Sequence, residues 1–234
     1  MWVVKLGGSL AGSPQLPAWL SALQDSPVIL VPGGGVFADA VRDAQRRWQF
    51  SDTAAHEMAI LAMNQYGRML LDMQPGLGRY RFPEIPADSL SDDVTGFRYE
   101  SDSTLRARVW LPTPEALQVA DLPASWELTS DSLAAWLAGA IGAEGLLLVK
   151  SVAATARPAG SDPTITLTAL MQRGWVDPAF AVYGRGLNAW WCGSEDHVRL
   201  LQALLHPDRH WVRILRADPL PAEAAALAET RALS

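Results

Sequence analysis

Two apolar segments near the N-terminus each run into glycines, and this pattern limits the folds that are open to the chain. Residues 3–6 (VVKL) are followed by Gly7 and Gly8, and residues 28–31 (VILV) are followed by Pro32 and three further glycines. The residues between the two segments have the apolar spacing of a helix. A strand, a helix and a second strand within about 30 residues form a βαβ unit, whose two strands are parallel. Both glycine loops should therefore lie at one carboxyl edge of a sheet, where open α/β sheets bind their ligands.

The first glycine loop has the parts of an anion site. Lys5 stands near the end of the first strand, and Gly7 and Gly8 let the backbone turn while leaving its N–H groups uncovered. Uncovered N–H groups beside a fixed ammonium can hold a phosphate. An ordinary strand–loop junction has the same residues, so this loop alone leaves both interpretations open.

A second lysine repeats the opening pattern further along the chain. Residues 146–149 (LLLV) form an apolar strand with Lys150 at its carboxyl end. Two such lysines on parallel strands would point into the same crevice, and Asp131 at a helix N-terminus could hold them apart. Each residue alone has an ordinary structural explanation, but the three together with two glycine loops favour a phosphate site.

The remaining pattern alternates strands and helices, which predicts a three-layer α/β/α sandwich with a mostly parallel central sheet. We expect one domain over residues 1–215 and a helical or frayed tail over residues 216–234. Residues 74–103 should be connecting loops with at most one short strand, which act either as a lid or as a passive excursion. Residues 195–205 read as one amphipathic helix, with Val198, Leu201, Leu204 and Leu205 as its apolar positions. The other predicted helices cover residues 17–23, 37–48, 53–72, 114–119, 131–138 (capped by Thr129, Ser130 or Asp131) and 167–173, and the other strands cover residues 107–111, 189–193 and 211–215.

Composition excludes several classes of protein. A net charge of −6 and a pI near 5.2 give no overall basic surface for nucleic acid. The single cysteine, Cys192, excludes an internal disulfide framework and a multi-cysteine zinc site. The longest apolar stretch, residues 133–143, is too short to span a membrane. Because the first strand begins within two residues of the start, we expect no signal peptide and a cytoplasmic location.

Four motifs taken together resemble the amino acid kinase superfamily, which includes acetylglutamate, aspartate, glutamate 5-, carbamate and uridylate kinases. They are K-L-G-G-S at 5–9, P-G-G-G at 32–35, T-S-D-S-L-A-A at 129–135 and L-L-V-K at 147–150. The chain has no G-x-x-x-x-G-K-[ST] motif, and neither glycine loop is G-x-G-x-x-G, which disfavours P-loop and Rossmann folds.

Two further stretches resemble a subgroup of that superfamily. Residues 37–42 (FADAVR) and 51–67 (SDTAAHEMAILAMNQYG) are similar to the small kinases of methanofuran-type cofactor synthesis, as are residues 126–138. Those kinases phosphorylate an aminomethylfuran-methyl phosphate to its diphosphate.

The resemblance implies an ATP-dependent phosphotransferase that acts on a small molecule, forms a homo-oligomer and engages neither nucleic acid nor membrane. Mg²⁺ would accompany ATP without metal ligands from the protein. His56 is included as a substrate contact, although a histidine near a helix start is more often a surface or capping residue. The implied catalytic residues are Lys5, Asp131 and Lys150; the phosphate-binding residues are Gly7, Gly8, Ser9 and Ser151; and the acceptor-binding residues are Gly33, Gly34, Gly35 and His56.

The sequence departs from the family pattern at two places, and other functions stay open. Residues 152–157 (VAATAR) replace a V-D-G-V-Y-like segment that helps hold the nucleotide base, and Val36 replaces a proline of the subgroup. A kinase for an acidic amino acid or a nucleoside monophosphate is one alternative. An acidic acceptor usually calls for an arginine, and Arg42, Arg68 and Arg98 are available. A non-catalytic protein that binds a nucleotide or an anion is the other alternative.

Overall fold

The structure, a computed structural model, describes residues 1–82, 106–151 and 164–215. The predicted tail, the segment 152–157, Arg98 and most of the 74–103 excursion lie outside the described residues. The strands are β1 (Trp2–Leu6), β2 (Val28–Pro32), β3 (Gly78–Tyr80), β4 (Arg108–Trp110), β5 (Gly145–Val149), β6 (Thr164–Thr166), β7 (Ala189–Cys192) and β8 (Val212–Leu215). The α-helices are α1 (Leu16–Leu23), α2 (Gly35–Trp48), α3 (Asp52–Met73), α4 (Pro114–Val119), α5 (Ser130–Ala140), α6 (Leu167–Gln172), α7 (Phe180–Tyr183), α8 (Leu200–Leu205) and α9 (Pro207–His210), and short 3₁₀ helices span Gly8–Gly12 and Asp196–Arg199.

The eight described strands form one sheet in the order β3-β4-β2-β1-β5-β7-β8-β6. Neighbouring strands are parallel except β7 and β8, which are antiparallel. β1 lies between β2 and β5, and all the residues of these three strands are buried. The mostly parallel sheet of the predicted fold class is confirmed.

Side chains on the two faces of the sheet belong to different hydrophobic clusters. Val4 and Leu6 of β1 pack with α1 on one face, whereas Val3 packs with α5 on the other. This alternation follows from the two-residue repeat of a strand. Because helices cover both faces, β1 must be apolar at nearly every position, and its polar Lys5 is the exception that needs a partner.

The prediction of one helix over residues 195–205 is wrong. The chain forms the 3₁₀ helix Asp196–Arg199 and then α8, and the buried residues of α8 are Leu200 and Ala203. The three residues per turn of a 3₁₀ helix shift the phase of the following α-helix, so a continuous 3.6-residue repeat selects the wrong face. Val198, Leu201 and Leu205, three of the predicted apolar positions, are accordingly exposed.

Several short elements were not predicted from the sequence pattern, among them α7, α9, β6 and the 3₁₀ helix Gly8–Gly12. β6 is a strand of three residues, and it pairs with β8 at the sheet edge. The 3₁₀ helix Gly8–Gly12 occupies the first glycine loop. Within the described ranges, no helix has the length and apolar character that a membrane crossing requires.

Candidate active site

Three charged side chains meet at the carboxyl edge of the central strands. Lys5 is on β1, Lys150 directly follows β5, and Asp131 is in the first turn of α5. The Lys5 Nζ lies 2.7 Å from Asp131 Oδ1, and the Lys150 Nζ lies 2.8 Å from Oδ1 and 2.9 Å from Oδ2. Lys5 is 4% exposed and Asp131 7% exposed. The structure thus brings the three predicted catalytic residues together as one buried cluster, the lysine–aspartate triad.

The triad is held by strong electrostatic interactions. Burial acts to raise the pKa of Asp131, but the charges of Lys5 and Lys150 outweigh it and hold that pKa below its usual value. Burial, together with repulsion from Lys5, lowers the pKa of Lys150 to about 8, against the attraction of Asp131. At neutral pH the two ammonium groups and the one carboxylate leave a net positive charge, which is suited to an incoming phosphate.

The two glycine loops touch each other through their backbones. A Cβ added at Gly8 would lie 2.8 Å from the Gly35 Cα, and a Cβ added at Gly33 would lie 2.8 Å from the Gly8 Cα. Real Cβ atoms are not found so close to backbone, so only glycine fits at these positions. The contact places the loop after β1 directly against the loop after β2.

Two of the glycine N–H groups are already used within the protein. Gly7 donates its N–H to the Val149 carbonyl at 3.0 Å, and Gly33 donates to the Leu6 carbonyl at 2.9 Å. These bonds extend the parallel ladders of β1 with β5 and of β2 with β1. A phosphate bound by the Gly7 N–H would have to displace its bond to Val149, so the expectation of a phosphate contact shifts to Gly8.

The two predicted phosphate-binding serines are neighbours. The Ser9 hydroxyl donates to the Ser151 hydroxyl at 2.8 Å, which joins the loop after β1 to the loop after β5.

A cavity of about 440 Å³ opens beside the triad, within the size range of small-molecule sites. Lys5 and Asp131 line its charged end, and Gly33 is not among the described residues that line it. The other residues of its wall come from the glycine loops, α2, α3, the loop before α5 and the start of α5: Gly8, Ser9, Gly12, Gly34, Gly35, Val36, Ala38, Asp39, Arg42, His56, Ala59, Ile60, Met63, Trp126, Leu128, Thr129, Ser130 and Leu133. The cavity thus combines a charged end with an apolar wall.

His56 is a buried residue of this cavity rather than a surface or capping residue. It is 6% exposed, and its Nδ1 lies 3.1 Å from the Ser125 carbonyl oxygen. Burial lowers the pKa of His56 although the carbonyl contact opposes the change. The ring is therefore neutral at pH 7, and a proton on Nδ1 that is donated to the carbonyl leaves Nε2 as an acceptor.

Arg42 and Trp126 both line the cavity and contact each other. The Arg42 guanidinium lies 4.5 Å from the centre of the Trp126 ring, and its Nη1 lies 3.0 Å from Asp39 Oδ1. The Trp126 Nε1 donates to the Gln45 side chain at 2.7 Å. Of the two candidate arginines that the structure describes, Arg42 lines the cavity, whereas Arg68 donates to a neighbour on its own helix.

Asp177 is a residue of the site's surroundings that the sequence pattern missed. The sequence predicted a local N-cap for α5 from Thr129, Ser130 or Asp131, but the Asp177 carboxylate accepts the Ser132 N–H of α5 at 3.2 Å instead. Because 45 residues separate Asp177 from Ser132, no local pattern could have indicated this contact.

A sequence profile described as the amino acid kinase family matches residues 1–162. The chain belongs to the amino acid kinase family. It is 25% identical over 156 residues to the [5-(aminomethyl)furan-3-yl]methyl phosphate kinase of Methanocaldococcus jannaschii, in a match that covers 65% of this chain and 66% of the relative. The match spans slightly less than two thirds of that relative's length.

Solved structures share the fold of this family member. A uridylate kinase from Archaeoglobus fulgidus matches with a TM-score of 0.59 and 18% identity, over 92% of this chain and 99% of its own. A UMP kinase from Ureaplasma parvum matches with a TM-score of 0.62 and 14% identity, over 91% and 97%. A UMP kinase from Bacillus anthracis matches with a TM-score of 0.61 and 14% identity, over 93% and 96%. These likenesses show the amino acid kinase fold along most of the chain.

Proposed function

We propose that this member of the amino acid kinase family transfers the γ-phosphoryl group of ATP to a small phosphorylated acceptor. The observation that carries the proposal is the buried lysine–aspartate triad, which lies beside a cavity at the meeting point of two glycine loops. Phosphoryl transfer depends mainly on positioning and on neutralising charge, and this site is built for both.

In the proposed reaction, an acceptor phosphate oxygen forms a bond to the γ-phosphorus. The bond from that phosphorus to the β–γ bridging oxygen breaks, so that ADP and an acceptor diphosphate result. A phosphate monoester is largely dianionic at pH 7, since its second pKa is about 6, and it needs no general base. Lys5, which lines the cavity, would face the transferred group, and Lys150 would face the donor phosphates. Asp131 would keep both ammonium groups in place.

The cavity has features that suit an acceptor like that of the archaeal relative. The substrate for which that relative is named combines an aminomethyl group, a furan ring and a phosphate. Trp126 offers an aromatic surface, Lys5 at the charged end a cation for the phosphate, and Asp39 an anion that would exchange its pairing with Arg42 for one with the ammonium group. The Nε2 of His56 can accept a hydrogen bond. We therefore propose an aminomethylfuran-methyl phosphate as the acceptor.

Mg²⁺ does not fit this site as a protein-held ion. Both carboxylate oxygens of Asp131 are engaged by lysines, so a metal ligand role for Asp131 would break the triad. We propose instead that Mg²⁺ arrives on the ATP phosphates, where it neutralises part of their charge.

The test is a transfer assay with γ-labelled ATP, Mg²⁺ and three separate acceptors: [5-(aminomethyl)furan-3-yl]methyl phosphate, UMP and N-acetylglutamate. We expect label to appear in the furan compound, and ³¹P NMR should identify the product as its diphosphate. The transfer rate should fall on the order of 10²-fold in Lys5→Ala. Transfer to UMP or to the acidic amino acid instead would replace the acceptor but keep the phosphotransfer. Absence of transfer to all three acceptors would refute the proposal.

A binding protein without catalysis is the second candidate, favoured by the unusual residues 152–157 where relatives hold the nucleotide base. Thermal stabilisation by ATP without turnover of any acceptor would support it. The homo-oligomer stays a prediction, and light scattering of the purified chain tests it.

A further inference from the structure

Asp177 is a buried carboxylate to which the proposed phosphotransfer gives no role. It lies between α6 and α7 and is 9% exposed. Its Oδ2 accepts from the Thr129 N–H at 3.1 Å, the Thr129 hydroxyl at 2.6 Å and the Ser132 N–H at 3.2 Å. Its Oδ1 accepts from the Ser132 hydroxyl and from the Phe180 N–H. Most of the donors that this carboxylate binds therefore belong to the start of α5.

These hydrogen bonds replace the cap that α5 lacks locally. The first N–H groups of a helix have no partner within the helix, and a side chain just before it usually accepts one of them. Thr129 stands at that position, but its hydroxyl donates to Asp177 and accepts nothing from the helix. The first turn of α5 is thus held by a distant part of the chain.

Asp131 lies between the two residues that Asp177 holds. Thr129 precedes it and Ser132 follows it, so the backbone is fixed on both sides of Asp131. The Asp131 carboxylate reaches two ammonium groups at 2.7 to 2.9 Å. Hydrogen bonds weaken steeply beyond such distances, so a small shift of the helix end would loosen the triad.

We propose that Asp177 is a positioning residue: it fixes the first turn of α5 so that Asp131 stays centred between Lys5 and Lys150. The catalytic consequence of this inference rests on the proposed phosphotransfer, whereas its electrostatic consequence does not.

The electrostatic consequence concerns Lys150. Among the described residues, the charged groups that act on Lys150 are Lys5, which disfavours its protonated form, and Asp131 and Asp177, which favour it. Replacing Asp177 by asparagine removes one of the two negative charges and loosens the contact to the other. Both effects lower the pKa of Lys150 further.

The first measurement follows this titration in the protein without ligands. A small amine-reactive acylating reagent modifies only the neutral form of Lys150, and peptide mass spectrometry gives the rate at each pH. Since burial and the charge of Lys5 lower the pKa of Lys150 to about 8, we expect the midpoint near pH 8 in the wild type and at lower pH in Asp177→Asn. Thr113→Ala is the control, because the Thr113 hydroxyl caps α4 at 3.2 Å and α4 supplies none of the described cavity residues. This control should keep the wild-type midpoint.

The second measurement compares kcat and KM for the proposed acceptor in the same variants. We expect kcat to fall by about tenfold or more in Asp177→Asn with little change in KM, because positioning acts on the reacting geometry. Thr113→Ala should lose thermal stability but keep both constants.

Asp177→Glu is the second variant, and it covers the case in which Asp177→Asn does not fold. It keeps the negative charge but displaces the helix end, so we expect a labelling midpoint between those of the wild type and Asp177→Asn, together with a reduced kcat. An unchanged midpoint and kcat in folded Asp177→Asn, or a wild-type kcat in Asp177→Glu, would overturn the inference. If the wild type shows no turnover at all, the proposed function fails, and the labelling midpoints still decide the role of Asp177.

Discussion

Raising the pH should lower the rate of phosphotransfer by removing the charge of Lys150. Its pKa is about 8, because burial and the charge of Lys5 disfavour the ammonium. With that value, about 90% of the molecules carry the charge at pH 7 and about 10% at pH 9. If the protonated form binds the donor phosphates, kcat/KM for ATP should fall about tenfold between these two pH values.

The assay is the initial rate of transfer at limiting ATP and saturating acceptor, from pH 6.5 to 10. The ratio kcat/KM reports the ionisation of the free protein, whereas kcat reports the complex. Donor phosphates beside the ammonium stabilise its charge, so the alkaline limb of kcat should lie at higher pH than that of kcat/KM.

Lys150→Arg is the matched control for this titration. A guanidinium stays charged across the whole range, so the alkaline limb of kcat/KM should disappear in this variant even if the rate is lower. The acceptor is the same in both proteins, so any pH dependence caused by ionisation of the acceptor should appear in both. Only the part caused by Lys150 should be lost in Lys150→Arg. A flat wild-type profile up to pH 9.5, or the same limb in Lys150→Arg, would refute the reasoning.

Folding stability should respond to Lys150 in the opposite direction. The pKa of Lys150 is lower in the folded chain, about 8, than its ordinary value of 10.5. Between these values the unfolded chain binds more protons, so the contribution of Lys150 to stability rises with pH. Urea unfolding at pH 7.5 and 9.5 therefore distinguishes loss of activity by titration from loss by unfolding.

Three further predictions concern the triad, the glycine contact and His56. Asp131→Asn should lower kcat/KM on the order of 10²-fold or more in the transfer assay, because the two lysines lose their shared counter-ion. Gly8→Ala should destabilise the chain by roughly 1–3 kcal/mol in urea unfolding, since the new methyl group meets the backbone of Gly35, whereas Gly139→Ala, with its nearest neighbour at 4.0 Å, should not. Burial lowers the pKa of His56 below 6.5, so stability should fall as the pH drops below that value, and His56→Gln should reduce this slope.

The triad was predictable from the sequence because each of its members follows a local rule. Lys5 and Lys150 end apolar strands, and parallel strands place their carboxyl ends at one edge of the sheet. Asp131 stands where a helix begins. The topology then brings the three together without further information.

The contact between Arg42 and Trp126 and the capping of α5 by Asp177 were not predictable in this way. Trp126 and Arg42 meet through the packing of a loop on α2, and Asp177 reaches α5 from between α6 and α7. Such contacts depend on the three-dimensional path of the chain, which leaves no periodic pattern in the sequence. Gly8 and Gly33 are a further example, because each must be glycine to allow a backbone contact between two loops that are distant in the sequence.

The backbone contact between the glycine loops also restricts how such a protein can evolve. A side chain at Gly8 or Gly33 would push the two loops apart, so neither loop can change its sequence at these positions independently of the other. New acceptors must then be accommodated elsewhere in the cavity, where Arg42, Ala59 and Met63 line walls formed by α2 and α3. Descendants of one ancestral chain could therefore exchange one substrate for another while the two glycine loops stay the same.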